Sequence, residues 1–254
     1  MQFPSPSAQL SAHLLATFLF VVSPVLSYFV DRRLLRRISN SRQKLRFYGY
    51  TMVSSWAIAA IALWITGTGP LFFPPTPSGR GLPTSARVLF GARLAAFFLL
   101  GLMPLFQSLR GEKYRAAYAR AYYRSLDEAS KILPETLEER LWFSAVSITA
   151  GIYEELVCRG FVFRYLDGIA LHLPLIAVLL LAAASFGLNH IYQGKTGVIK
   201  TSVAGIAFGG LFLFTGSLLL PMILHTAVDL QTVFILRSPS PVEQSSQQAG
   251  PETK

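Results

Sequence analysis

The sequence is short of charge and of cysteine. Of its 254 residues only 14% are Asp, Glu, Lys or Arg, where a soluble domain carries about 25%. Hydrophobic residues make up 52%, and the mean hydropathy is +0.45. An ordinary soluble domain is therefore excluded in favour of a multi-pass membrane chain. The single cysteine, Cys158, excludes an internal disulfide and is expected to be a small buried apolar residue. No Lys or Arg precedes the first apolar run, so the positive n-region of a signal peptide is missing. The basic cluster follows that run instead, which predicts a retained anchor with its N-terminus outside. The chain also lacks the His-Glu-x-x-His of zinc proteases and the Gly-x-Ser-x-Gly of serine hydrolases. It shows no internal repeat of the kind that marks many transporters.

What is present is a series of apolar runs. A helical span needs about 20 mostly apolar residues, and seven candidates fit: 10–30, 47–66, 86–108, 141–163, 173–191, 198–216 and 218–236. The last two have almost no loop between them and could form one broken helix. The fold class is all-α, a multi-pass transmembrane helix bundle of about seven spans. Acidic residues are scarcer than basic ones, 13 against 23, for a net charge of +10. That excess sits in short loops, so it reads as topology and contact with anionic lipid, and no nucleic-acid partner is expected. The loop "DRRLLRRISNSRQKLR", with seven Lys or Arg and one Asp, is placed in the cytoplasm. The proline-rich "GPLFFPPTPSGRGLPTS" is placed outside.

This divides the chain into N-terminal spans with a basic loop (1–109), an amphipathic cytoplasmic segment (110–140), a core of spans (141–236) and a polar tail expected to be disordered (237–254). "LPETLEER" supplies a helix start, with Thr136 as N-cap and Glu139 at the capping-box position.

Ionisable residues inside spans are costly and mark functional sites by default. Glu154, Glu155, Arg159, His225 and Asp229 lie within spans, and His190 ends one. Glu155 and Arg159 are four apart and share a helix face, Glu first, which favours an ion pair. Glu154 points about 100° away from Glu155 and is free to face another element. His225 and Asp229 repeat the spacing of four, as do Phe186 and His190. A Glu–Arg pair alone could merely bridge helices, and a lone His or Asp could merely pack. Gly205 and Gly209 are read as permitting close helix contact.

Gathered together, two carboxylates and two imidazoles suit hydrolysis of a peptide bond. A desolvated carboxylate can take a proton from water, and a histidine can hold that water. Donors on another helix can stabilise the oxyanion. The same His and Glu donors could instead bind a divalent metal such as zinc.

These residues resemble the motifs of the CAAX-processing and bacteriocin-processing intramembrane endopeptidases, also called the abortive-infection family. "EELVCR" resembles Glu-Glu-x-x-x-Arg, "FGLNH" resembles Phe-x-x-x-His, and "HTAVD" resembles His-x-x-x-Asn or His-x-x-x-Asp. "GIAFGGLFLFTGSLLLPMILH" is similar to the family's Gly-rich helix and Thr-Gly-Ser turn. The likeness covers about 141–236. It implies a type II CAAX prenyl endopeptidase-like protease with Glu154 as the base that activates water and His190 as its partner. Glu155 and Arg159, with Phe186, support that site, and His225 and Asp229 bind the oxyanion or substrate. The CAAX enzymes usually carry Asn at the last position, and Asp229 cannot donate a hydrogen bond unless protonated.

The resemblance implies a glutamate-dependent reaction with no cofactor and no metal ligand, zinc being the alternative that the donors leave open. Expected partners are a protein or peptide substrate and membrane lipid, in a cell membrane of bacterial character. A non-catalytic immunity or scaffold protein of the same fold is the main rival. An ion-coupled transporter that uses Glu154 and Asp229 as proton carriers is the third reading.

Overall fold

A computed structural model describes residues 6–67, 84–169 and 173–236. The proline-rich loop, except for its last two residues, and the polar tail lie outside the described residues. Among these residues the chain forms helices only, as expected for backbone that must satisfy its own polar groups in lipid. In order they are α1 (Ser7–Arg37), α2 (Ser41–Thr66), α3 (Thr84–Leu109), α4 (Glu112–Ser125), α5 (Leu137–Asp167), α6 (Leu175–Asn189), α7 (Gly194–Thr215) and α8 (Leu219–Ile235).

Among the described residues, five helices are long and apolar enough to cross a membrane: α1, α2, α3, α5, and α7 together with the short 3-10 turn before it. The two expected spans at 173–191 and 218–236 contract to helices of 15 and 17 residues. At 1.5 Å per residue, α6 reaches about 22 Å, short of a hydrocarbon core of about 30 Å. Pro174 precedes the first turn of α6, and His190 leaves the helix at its other end. The last two spans are separate helices, because Gly216 takes a left-handed conformation with φ 69° and turns the chain.

Local chemistry sets the starts of the helices. Asn40 caps α2 by accepting from the Gln43 amide at 3.0 Å. The predicted capping box is present at α5. Thr136 accepts from the Glu139 amide at 3.2 Å, and the Glu139 carboxylate accepts from the Thr136 and Glu135 amides. Lys44, counted by sequence within the basic cytoplasmic loop, lies in α2, where it is buried and donates to Glu139 at 3.0 Å and to the Leu133 carbonyl at 2.9 Å. The starts of α2 and α5 are thereby locked together.

The middle of the bundle belongs to α5, which packs on α2, α6 and α8, while α7 packs on α6 and α3. Its main core joins Ala12, Leu15 and Leu19 of α1 to Val157, Phe161 and Val162 of α5 and to Val178 and Ala182 of α6. Outward-facing Val53, Trp64, Leu99 and Leu100 are exposed, as lipid contact requires. Two glycines set the closest approaches. A Cβ on Gly151 would lie 2.7 Å from the Thr226 amide nitrogen, and one on Gly205 would lie 3.0 Å from Ala183 Cα. So α5 meets α8, and α7 meets α6, nearly backbone to backbone.

The 110–140 region forms α4 and a 3-10 turn, Asp127–Ile132. Tyr118, Tyr122 and Tyr123 of α4 pack around Leu133, Ile235 and Leu236. Burial raises the pKa of all three phenols, so they pack as neutral rings.

Candidate active site

The close approach of α5 and α8 at Gly151 sets Glu154 and Glu155 beside His225 one turn further on. From Leu156 to Val162, α5 widens into a π-helix, a departure from the regular 100° spacing assumed for the sequence. Every residue of that turn except Cys158 is buried. Cys158 itself is half-buried, more exposed than its type suggested. The Glu155–Arg159 pairing survives the widening, with Arg159 Nη1 donating to Glu155 Oε1 at 2.9 Å.

Glu155 is 0% exposed and Arg159 2%. Such a pair persists only with further partners, and both have them. Arg159 Nη2 donates to the Gly205 carbonyl at 3.0 Å. Its guanidinium lies over the rings of Phe186 and Phe208, 5.0 and 5.7 Å from their centroids. His225 Nδ1 is 2.8 Å from Glu155 Oε1. A carboxylate only accepts, so that nitrogen carries a proton. The His225 ring also stacks on Phe208, centroids 4.8 Å apart. Glu155 Oε2 has no hydrogen-bond partner among the described residues.

Glu154 precedes Glu155 on α5 and reaches the other nitrogen of the same His225 ring. Its carboxylate lies between two imidazoles, with Oε1 3.8 Å from His190 Nε2 and Oε2 3.5 Å from His225 Nε2. Its side chain keeps 18% exposure, and that of Asp229 keeps 35%. The cluster therefore grades from a dry end at Glu155 to an open end at Asp229. His190 Nδ1 is 2.8 Å from the Phe186 carbonyl, which can only accept. The neutral tautomer of His190 must then present a bare Nε2 to Glu154. Asp229 Oδ2 is 3.8 Å from His225 Nε2.

All seven residues singled out in the sequence are thus brought to one place: Glu154, Glu155 and Arg159 on α5, Phe186 and His190 on α6 and its end, His225 and Asp229 on α8. Two arrangements differ from expectation. Glu154 faces His225 as closely as His190, and Glu155 is bonded to His225 as well as to Arg159. Sequence reasoning missed Phe208, the Gly205 carbonyl and Asn189. An aromatic and a glycine on an apolar helix give no chemical signal. Asn189, beside His190 in "FGLNH", did offer one. Three carboxylates face one guanidinium, so the cluster is net negative by two with both imidazoles neutral and by one with either protonated. Among the described residues, no group of three or more His, Cys, Asp or Glu side chains is arranged to hold a metal ion.

Residues 136–231 match the family model of the Type II CAAX prenyl endopeptidases, Rce1-like. That stretch opens on the N-cap of α5, ends within α8 and contains all seven residues. No curated protein and no solved structure matches the chain. The chain is an integral membrane protein that carries, in α5 to α8, a domain of this endopeptidase family.

Proposed function

We propose that this protein is an intramembrane endopeptidase in which Glu154 activates water to hydrolyse a peptide bond. One observation carries the reading: the Glu154 carboxylate has one oxygen toward each imidazole, at the open side of an otherwise buried polar cluster. The 3.8 Å gap to His190 Nε2 is too long for a direct hydrogen bond. A water touching both groups spans it. That water donates one hydrogen to Glu154 Oε1 and the other to the bare Nε2 of His190. Its oxygen lone pair is then turned toward the scissile carbonyl.

As the water oxygen bonds to the carbonyl carbon, Glu154 takes its proton and the carbonyl oxygen becomes an oxyanion. His225 is the donor within reach. Its Nδ1–H is held by Glu155, so its Nε2 donates only when the ring is protonated on both nitrogens. Asp229 contributes charge on the Nε2 side, where the carboxylate favours that second proton. Glu154 then passes its proton to the amide nitrogen, the C–N bond breaks, and an amine leaves with a carboxylic acid, which gives up its remaining proton to water. Glu155, Arg159 and Phe186 hold His225 and the π turn in place.

The substrate class is a peptide or protein segment, and the family match makes a prenylated C-terminal CAAX segment the first probe. The full-length protein in proteoliposomes is given a quenched fluorogenic farnesylated CAAX peptide. Wild type cleaves it, and Glu154→Gln, which keeps shape and removes the base, lowers kcat at least 100-fold. Cleavage by Glu154→Gln at the wild-type rate sinks the mechanism. No cleavage by wild type, with this peptide or its unprenylated form, sinks the function.

A further inference from the structure

We propose that α1, which lies outside the matched family domain, positions His190 through Asn189; the proposal rests on the reading of His190 as a site residue. α6 is short and ends at Asn189, so the carbonyls of its last turn have no regular amide partner four residues on. In lipid such groups must find donors. For Asn189 the donors come from α1. Ser27 Oγ donates to the Asn189 carbonyl at 2.9 Å, and Ser23 Oγ donates to Asn189 Oδ1. In the other direction, Asn189 Nδ2 donates to the Leu19 carbonyl of α1 at 3.1 Å and to the Ser185 carbonyl at 2.8 Å.

The shape of α1 makes these bonds available. It is a π-helix over Phe18–Val22 and again over Ser27–Asp31. A π turn inserts a residue and disturbs the regular ladder of carbonyl partners, and such turns recur at functional sites. The first holds the Leu19 carbonyl that takes the Asn189 amide. The second begins at Ser27, whose hydroxyl reaches the Asn189 backbone. Ser23 lies between them.

The consequence falls on one peptide group. The Asn189 carbonyl and the His190 amide belong to the same peptide plane. Its oxygen is held by Ser27, and its N–H donates to the Gly187 carbonyl at 3.0 Å. With both ends of that plane pinned, and the next plane held by the Gln193 amide donating to the His190 carbonyl at 2.9 Å, the direction of the His190 Cα–Cβ bond is set. Nδ1 bonded to the Phe186 carbonyl then fixes the ring. Releasing the α1 side frees the plane to rotate and swings Nε2 away from Glu154. A misplacement of about 1 Å can cost about 100-fold in rate.

The test uses full-length protein in phosphatidylcholine nanodiscs with 13C-labelled histidine. The His190 ring signal is assigned by its loss in His190→Gln. In Ser23→Ala/Ser27→Ala the His190 signal shifts or splits while the His225 signal holds. On the farnesylated probe peptide, kcat falls at least tenfold with KM within about twofold. Ser23→Thr/Ser27→Thr, which keeps both hydroxyls, retains the wild-type signal and rate. If the double alanine variant does not accumulate, Ser27→Ala alone cuts the bond to the peptide carbonyl and shows the same shift. An unchanged His190 signal in the alanine variants overturns the proposal. So does an equal movement of His225, or threonine variants that behave like alanine. If wild type cleaves no probe, the protease reading fails and the His190 signal alone decides the role of α1.

Discussion

Replacing Arg159 with methionine keeps most of its volume and removes its charge and all its donors. Three losses follow. The charge-assisted bond to Glu155 at 2.9 Å disappears, leaving a carboxylate that is 0% exposed with His225 Nδ1–H as its remaining donor. Breaking a buried pair on one side costs about 3–5 kcal/mol. The Gly205 carbonyl loses its side-chain donor at 3.0 Å, worth about 1–3 kcal/mol where water cannot replace it. The contacts with Phe186 and Phe208 lose their cationic part, about 1–2 kcal/mol. These terms overlap, because one group makes all of them. A net destabilisation of about 5 kcal/mol is expected, comparable with the whole margin of a typical domain. The companion variant is Glu155→Gln/Arg159→Met. It removes the stranded charge yet keeps an amide oxygen to accept from His225, so it should recover more than half of the loss. Equilibrium unfolding of the full-length protein in mixed micelles measures both. An Arg159→Met protein within about 1 kcal/mol of wild type, or a double variant no more stable than the single one, refutes the account.

Lys44→Met should destabilise by a smaller amount, about 2 kcal/mol, because Glu139 keeps its two backbone donors; unfolding midpoints measure this, and KM for the probe peptide should not move. Asp229→Asn supplies an amide that can donate to the oxyanion directly, so kcat should stay within about tenfold of wild type, while Asp229→Leu should lose about 100-fold; steady-state kinetics on the probe peptide separate the two. Dialysis against 1,10-phenanthroline should leave cleavage unchanged if Glu154 works without a metal. Loss that zinc restores would move the His and Glu donors to a metal-assisted reaction.

The sequence by itself determined the class of the fold and picked out the polar residues that the structure gathers into the candidate site. Low charge and long apolar runs leave a chain no stable choice but helices in lipid, and a charge is kept inside such a helix only at a cost that marks it. Hence Glu154, Glu155, Arg159, His190, His225 and Asp229 stood out one by one. Spacing of four residues also gave the Glu155–Arg159 pair, because that contact is local to one helix. The capping box at Thr136 and Glu139 was legible for the same reason.

The tertiary structure decided everything that crosses between helices. It set Glu154 between two imidazoles and bonded Glu155 to His225, which depends on how closely Gly151 lets α8 approach. It set Lys44, counted with the basic loop in the sequence, into a buried pair with Glu139. It shortened α6, so that Asn189 and His190 end a helix where carbonyls need outside donors, and it brought the serines of α1 to supply them. Local periodicity fixes which residues share a face. Which faces meet depends on the balance of packing, small-residue contacts and hydrogen bonds over the whole bundle, and no single stretch of chain encodes that balance.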